Sequence, residues 1–309
     1  MSQQLQQYFD HYPQPEEVDA WIDSIWEEAL SVPCKAEIIE NNGFTPSLGI
    51  SYAGGEFRYV KFTPEGGDPF YAYWQPAWSK PAPLLVHVPG YGAEISSHPD
   101  LVMQGYNVIH INPLGYVTPQ GPDLSKQEDG NWPVLPDTVS SGGRRGYRNW
   151  LIHCIQAVRW AQTQPSVVQD RVSFFGTSQG GGGALLLGSL FRDHGARCVA
   201  ADVPFLTNFP LAQGRGAYYL VNIGMAKLAD EAEGWRGLGF ADTLSHARRL
   251  TMPVLLTGGD IDLVTPTDTI ETLFEKLPGT RSYTLLQHTD HRYTREFGHL
   301  STAWFRIYA

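Results

Sequence analysis

Val172-Ser173-Phe174-Phe175-Gly176-Thr177-Ser178-Gln179-Gly180-Gly181-Gly182-Gly183-Ala184-Leu185-Leu186-Leu187 is the stretch from which the fold is read. An apolar run of strand type passes through Gly-x-Ser-x-Gly into an apolar run of helix type. Small residues stand where a strand would have to turn sharply into a helix, a geometry that lifts a serine hydroxyl clear of the backbone. In a chain with 32 glycines the pentapeptide alone is weak evidence, and a plain glycine turn is the competing reading. The strand on one side and the helix on the other favour a nucleophile at Ser178.

Working outward, short apolar strands recur at 84–88, 108–111, 171–175, 198–203, 254–257 and 283–286, with helical stretches between them. That alternation predicts an α/β fold with a mostly parallel sheet, and continuously apolar strands predict helices on both faces. The clearest helix is 147–162, where Trp150, Leu151, Cys154, Ile155, Val158 and Ala161 form one stripe. Upstream, Val18, Trp21, Ile22, Ile25, Trp26 and Ala29 predict an amphipathic helix over 15–30. The runs 56–62 and 70–74 read as antiparallel strands. Two segments break the rhythm: 112–146, rich in Pro, Gly and Ser, and 207–246, which reads as a small helical cap inserted between two strands. One domain spanning 1–309 with that cap embedded is the expected organisation.

Composition excludes other classes. A hydrophobic share of 42% with 12% aromatics argues against disorder despite 32 glycines and 22 prolines. A net charge of −10 argues against nucleic acid as a partner. No apolar run approaches a membrane span and the first residues lack a signal pattern, so a soluble, cytoplasmic protein is expected. Cys34, Cys154 and Cys198 are scattered, which predicts neither a disulfide framework nor a thiolate zinc site.

A serine nucleophile needs a histidine to take its proton and a carboxylate to orient that histidine, in the chain order Ser, Asp, His for this architecture. After the strand at 254–257 comes Gly258-Gly259-Asp260-Ile261-Asp262-Leu263-Val264-Thr265-Pro266; after the last strand comes Gln287-His288-Thr289-Asp290-His291. Asp262 is favoured because an apolar pair and a proline turn follow it, with Asp260 the alternative. His291 is favoured because it lies farther along its loop, with His288 the alternative. A metal site on His288-x-x-His291 lacks a third ligand and follows a strand, so no metal is expected. The glycine run 180–183 lacks the partners of a phosphate or dinucleotide site. For a developing oxyanion, the Gln179 amide follows the nucleophile, and Pro89-Gly90-Tyr91-Gly92 can aim the Tyr91 amide at the same point. Trp132, Tyr218, Tyr219 and Trp235 are candidates to stack on a substrate.

These residues together resemble the acetyl xylan esterase / cephalosporin C deacetylase family of α/β-hydrolases. The likeness runs along the chain through Trp26-Glu27-Glu28, Gly90-Tyr91, Tyr147-Arg148, Gly176-Thr177-Ser178-Gln179-Gly180-Gly181-Gly182, Asp202-Val203-Pro204-Phe205-Leu206, Asp262-Leu263-Val264-Thr265-Pro266 and His291. The resemblance implies nucleophile Ser178, acid Asp262, base His291 and oxyanion donors Tyr91 and Gln179, without a cofactor. It also implies a homo-oligomer and a small acetylated hydroxyl compound, such as an acetylated sugar, as the ester substrate. Asn112-Pro113-Leu114-Gly115 stands where the family carries Arg-Gly-Gln, and Arg292 where an acidic residue usually follows the histidine. The same triad would serve a thioesterase, peptidase or acyltransferase, and a hydrolase fold kept only for binding is the reading from another class.

Overall fold

A computed structural model describes residues 3–39, 57–78, 81–91 and 96–309. The chain runs α1 (Gln3–Phe9), α2 (Pro15–Ser31), β1 (Cys34–Ile39), β2 (Arg58–Pro64), β3 (Phe70–Gln75), β4 (Ala82–His87), α3 (Pro99–Met103) and β5 (Asn107–Asn112). A two-stranded ribbon of β6 (Val117–Thr118) and β7 (Gly121–Pro122) comes next, then α4 (Val134–Ser140) and α5 (Tyr147–Gln162). β8 (Val167–Thr177), α6 (Gln179–Leu190) and β9 (Ala196–Asp202) lead into a helical segment of α7 (Phe209–Ala212), α8 (Val221–Met225), α9 (Glu231–Ala241) and α10 (Thr243–His246). The chain finishes with β10 (Val254–Gly259), α11 (Thr267–Lys276), β11 (Arg281–Leu286) and α12 (Arg295–Tyr308).

Among the described residues the main sheet has the order β1-β2-β3-β5-β4-β8-β9-β10-β11. β1 to β3 and the β3–β5 pair are antiparallel, and from β5 to β11 every neighbour is parallel. All six expected parallel strands form, and β2 and β3 pair as read, although Glu56 of the expected strand lies outside the described residues. β1 was not anticipated: Cys34-Lys35-Ala36-Glu37-Ile38-Ile39 is half exposed, as befits an edge strand. The chain passes from β4 sideways to β5 and then returns to the other flank of β4 to lay down β8. This reversal of direction leaves a crevice at the strand ends between β4 and β8, where ligands of open α/β sheets bind. Both Gly90-Tyr91, after β4, and Ser178, after β8, stand there.

The 112–146 stretch is not irregular throughout, since it holds the ribbon and α4. α2 packs against α5 and is held by two indole donors: Trp21 Nε1 to Gly143 O at 3.0 Å and Trp26 Nε1 to Leu190 O at 3.0 Å.

Every residue of α6 is buried, and its glycines explain how a helix comes that close to its neighbours. A Cβ on Gly180 would lie 2.2 Å from the Val88 carbonyl oxygen, and one on Gly182 would lie 1.9 Å from that of Phe205. Both contacts are with backbone, which cannot rotate away. Gly182→Ala is therefore expected to lower the unfolding free energy by about 1–3 kcal/mol, read as a reduced urea midpoint. A variant as stable as the parent would show that the 204–206 segment yields freely.

Candidate active site

Ser178 bridges β8 and α6 at φ 59°, ψ −121°, a region that residues with a Cβ seldom occupy. The strained turn is pinned on both sides. Ser178 N donates to Asp202 O at 2.9 Å, while Ser178 O accepts from Gly182 N at 3.0 Å and Phe205 N at 2.9 Å. Its hydroxyl is thereby fixed toward the C-terminal ends of the parallel strands.

His291 Nε2 lies 2.9 Å from Ser178 Oγ, and His291 Nδ1 lies 2.8 Å from Asp262 Oδ2. A carboxylate can only accept, so the imidazole donates through Nδ1 and presents the Nε2 lone pair to the serine hydroxyl. Asp262 Oδ1 also accepts from the amides of Val264 at 2.7 Å and Thr265 at 3.0 Å, and Oδ2 from Thr265 Oγ1 at 2.8 Å. Burial pushes the Asp262 carboxyl up, but the bonds from His291, Thr265 and Val264 outweigh it and hold the group below its ordinary value. Leu263 of the apolar pair is 85% exposed, and the Asp262 side chain is shielded instead by the amides and hydroxyl that wrap it.

The two alternatives fall elsewhere. Asp260 is exposed, and its Oδ1 accepts from Thr289 N at 3.0 Å, tying the histidine loop to the end of β10. His288 is exposed at φ 54°.

Gln179 is the first residue of α6, so its amide has no partner one turn earlier in the helix and faces the turn. Its side chain is engaged at both ends: Tyr147 Oη donates to Oε1 at 2.7 Å, and Nε2 donates to Gly90 O at 3.3 Å. In a trans peptide the C=O and the following N–H point in opposite directions. Holding Gly90 O against Gln179 therefore turns the Tyr91 N–H away from that side chain, which was not evident from the sequence. Gly92 of the same turn lies outside the described residues.

The four aromatic candidates divide. Trp132 stacks on Tyr116 with ring centroids 4.7 Å apart, and its carbonyl accepts from Tyr91 Oη at 3.0 Å. Burial pushes the Tyr91 phenol up to about 12, and nearby Tyr219 adds to that shift. Tyr219 is 54% exposed and near this wall. Tyr218 and Trp235 are not available to a ligand: Tyr218 is packed against Phe205 and Phe209 with its hydroxyl donating to Thr207 O at 3.0 Å, and Trp235 is buried against Tyr8. Tyr218 thereby ties the helical segment to the loop after β9, and Trp235 ties it to α1.

Two cavities lie beside the chain neighbours of Ser178, one lined by Gln179 and the other by Thr177. A small one of about 20 Å³ is bounded by Gly90, Tyr91, Asn112, Trp132, Trp150 and Gln179. A large one of about 840 Å³ is lined by Thr177, Tyr293, His87, His98, Phe175 and Arg295 among others.

Behind the triad sits a second carboxylate to which the sequence assigned no role. Asp202 is fully buried, accepting from Thr257 Oγ1 at 2.6 Å and Thr177 Oγ1 at 3.1 Å. Burial raises it to about 6, against the lowering effect of the two hydroxyls. The unfolded chain ionises this group near 3.8, so as pH climbs from there to about 6 the unfolded state loses its proton first and the native state is disfavoured. Across that window the charge costs roughly 3 kcal/mol of stability. Asp202→Asn removes the titration, so its stability relative to the parent should rise by that order between pH 4 and pH 8 in parallel urea titrations. An unchanged difference would mean that the carboxylate is not desolvated.

The family model for acetyl xylan esterase matches residues 1–307. Among solved structures, acetyl xylan esterase 1 from Thermoanaerobacterium sp. JW/SL YS485 is 22% identical, with 95% of this chain and 94% of that one covered and a TM-score of 0.77. The acetyl xylan esterase from Paenibacillus sp. R4 is 18% identical over 100% of both chains, with a TM-score of 0.74. The acylaminoacyl peptidase of Pyrococcus horikoshii, 15% identical, shares the fold over 82% of this chain and 41% of its own, with a TM-score of 0.61. None of the described helices is long and apolar enough to cross a membrane. The chain belongs to the acetyl xylan esterase family and is, with it, a carboxylic-ester hydrolase on the α/β-hydrolase fold.

Proposed function

We propose that this chain removes small acyl groups, acetyl above all, from a hydroxylated carrier such as a sugar, through an acyl-enzyme on Ser178. The observation that carries the reading is the unbroken chain from Ser178 Oγ through His291 to Asp262, with links of 2.9 Å and 2.8 Å. His291 takes the Ser178 proton as the hydroxyl oxygen attacks the ester carbonyl, and Asp262 stabilises the imidazolium that forms. The amides of Gln179 and Tyr91 receive the developing oxyanion. His291 then returns the proton to the leaving alcohol. Water repeats the sequence on the acyl-enzyme, freeing the acid and restoring the serine.

The two cavities support the substrate size. About 20 Å³ beside Gly90 and Gln179 takes one small group, the scale of a single water or methyl. The cavity of about 840 Å³ that Thr177 lines has room for a bulky alcohol. Trp132 and Tyr219 supply aromatic surface near the smaller one, and the 207–246 segment acts as a cap over this end of the sheet.

On p-nitrophenyl acetate, Ser178→Ala is expected to lower kcat by about 10⁶ and Asp262→Asn by about 10⁴. Turnover surviving in Ser178→Ala would remove the nucleophile from the scheme. In a series of p-nitrophenyl esters, kcat/KM should fall at least about 100-fold from acetyl to octanoyl, since each methylene that cannot be housed loses roughly 1 kcal/mol or more. Equal rates across the series would refute the small acyl pocket.

A further inference from the structure

Three imidazoles that take no part in the scheme above lie together, His87 and His98 in the wall of the large cavity and His110 buried beside His87. His87 and His110 face each other across the parallel β4–β5 pair, and His98, at the start of α3, closes over them. His110 is fully buried and His87 nearly so. One ligand-capable nitrogen from each of the three lies within 4.8 Å of the other two. The sequence carried no hint of this, because the three are far apart and show no ligand spacing; only the strand register and the α3 connection assemble them.

A purely structural role accounts for two of the three. His87 Nδ1 and His110 Nδ1 are 2.6 Å apart, one donating and one accepting. His110 Nε2 donates to Asn112 Oδ1 at 3.3 Å, which leaves His110 Nδ1 as the acceptor. His98 has no such explanation. Its backbone amide is anchored on Gln75 Oε1 at 3.0 Å, yet its Nε2 is buried and meets no hydrogen-bonding partner among the described residues. A buried nitrogen without a partner disfavours the fold, so its retention beside two further imidazoles asks for a ligand.

We propose that His87, His98 and His110 bind one divalent transition cation of the Zn²⁺ type, with its open position facing the large cavity. The donor set selects the ion. Three imidazoles without a carboxylate suit Zn²⁺, Co²⁺ or Ni²⁺, whereas Mg²⁺ and Ca²⁺ require oxygen ligands. The bond from His110 Nε2 to Asn112 is the outer-shell contact that fixes a metal-binding tautomer, with Nδ1 left for the ion. Binding needs only a tautomer change at His87, whose proton passes from Nδ1 to Nε2, so both Nδ1 lone pairs face the ion and no proton is released. Tetrahedral Zn–N bonds of about 2.0–2.1 Å set ligand nitrogens roughly 3.3 Å apart. His87 and His110 then part by roughly 0.7 Å and His98 moves inward, adjustments within reach of side-chain rotation. Three protein ligands with the fourth position open is the arrangement in which an ion can also hold an anionic or carbonyl group of a molecule in the cavity. Thr177, the chain neighbour of Ser178, and Tyr293, two residues after His291, line that same cavity.

The test uses the untagged full-length chain, stripped with EDTA and dialysed, then titrated with ZnCl₂ by calorimetry and with CoCl₂ by visible absorption. One equivalent should bind, and Co²⁺ should give the intense spectrum of a four-coordinate site. His98→Ala and the bulk-preserving His98→Gln should each weaken binding at least about 100-fold, while His288→Ala, at an exposed histidine, should leave it unchanged. Thermal melting of each variant checks that it folds, and added ZnCl₂ should raise the melting temperature of the parent alone. No stoichiometric binding by the parent, equal affinity in a folded His98 variant, or MgCl₂ binding as well as ZnCl₂ would each overturn the assignment.

Discussion

The structure depends on a single backbone constraint, the conversion of β8 into α6 at one residue, Ser178, held at φ 59° and ψ −121°. A side-chain-bearing residue stays there only if its surroundings leave no alternative. Those surroundings are supplied by close approach. The carbonyls of Val88 and Phe205 occupy the space that side chains on Gly180 and Gly182 would need, and Asp202 O and Phe205 N hold the Ser178 peptide groups directly. Because β4, β8 and β9 all meet at this point, the packing that permits the strain also fixes which loops surround the proposed nucleophile.

Two carboxylates near that point show how environment sets their roles. Asp262 and Asp202 are both buried, yet one is held below its ordinary value and the other raised to about 6. The difference is the number and kind of donors. Asp262 receives two amides, a hydroxyl and an imidazole, whereas Asp202 receives only two hydroxyls. Asp262 thereby stays ionised to orient His291, and Asp202 retains its proton more readily at the end of β9.

Most of the parallel sheet was legible in the sequence because buried strands read as continuous apolar runs. The pentapeptide around Ser178 could be located because its chemistry requires small residues at fixed offsets. The choice between Asp260 and Asp262 was harder, since both precede the same turn. What separates them is a set of amides and Thr265 Oγ1 converging on one carboxylate, and local sequence encodes that only as a threonine three positions on. Tyr218 and Trp235 misled for a related reason: an aromatic ring that anchors a helical segment and one that faces a ligand have the same composition signature. The two-ended grip of Gln179 on Gly90 and Tyr147, and the gathering of His87, His98 and His110, arise from contacts between residues distant in sequence, which only the sheet order reveals.

The sheet order also distributes robustness unevenly. Ser178 follows β8, in the interior of the sheet, whereas His291 follows β11, the last strand, which among the described residues has a neighbour on one side only and mostly half-covered or exposed residues. Edge elements open at lower free energy than central ones, without the rest of the molecule unfolding. The proposed base therefore hangs from a margin of the sheet, while the proposed nucleophile is fixed in its interior. As denaturant or heat rises, turnover should fade while the bulk of the fold is still intact, so activity reports on the margin of the sheet rather than on its core.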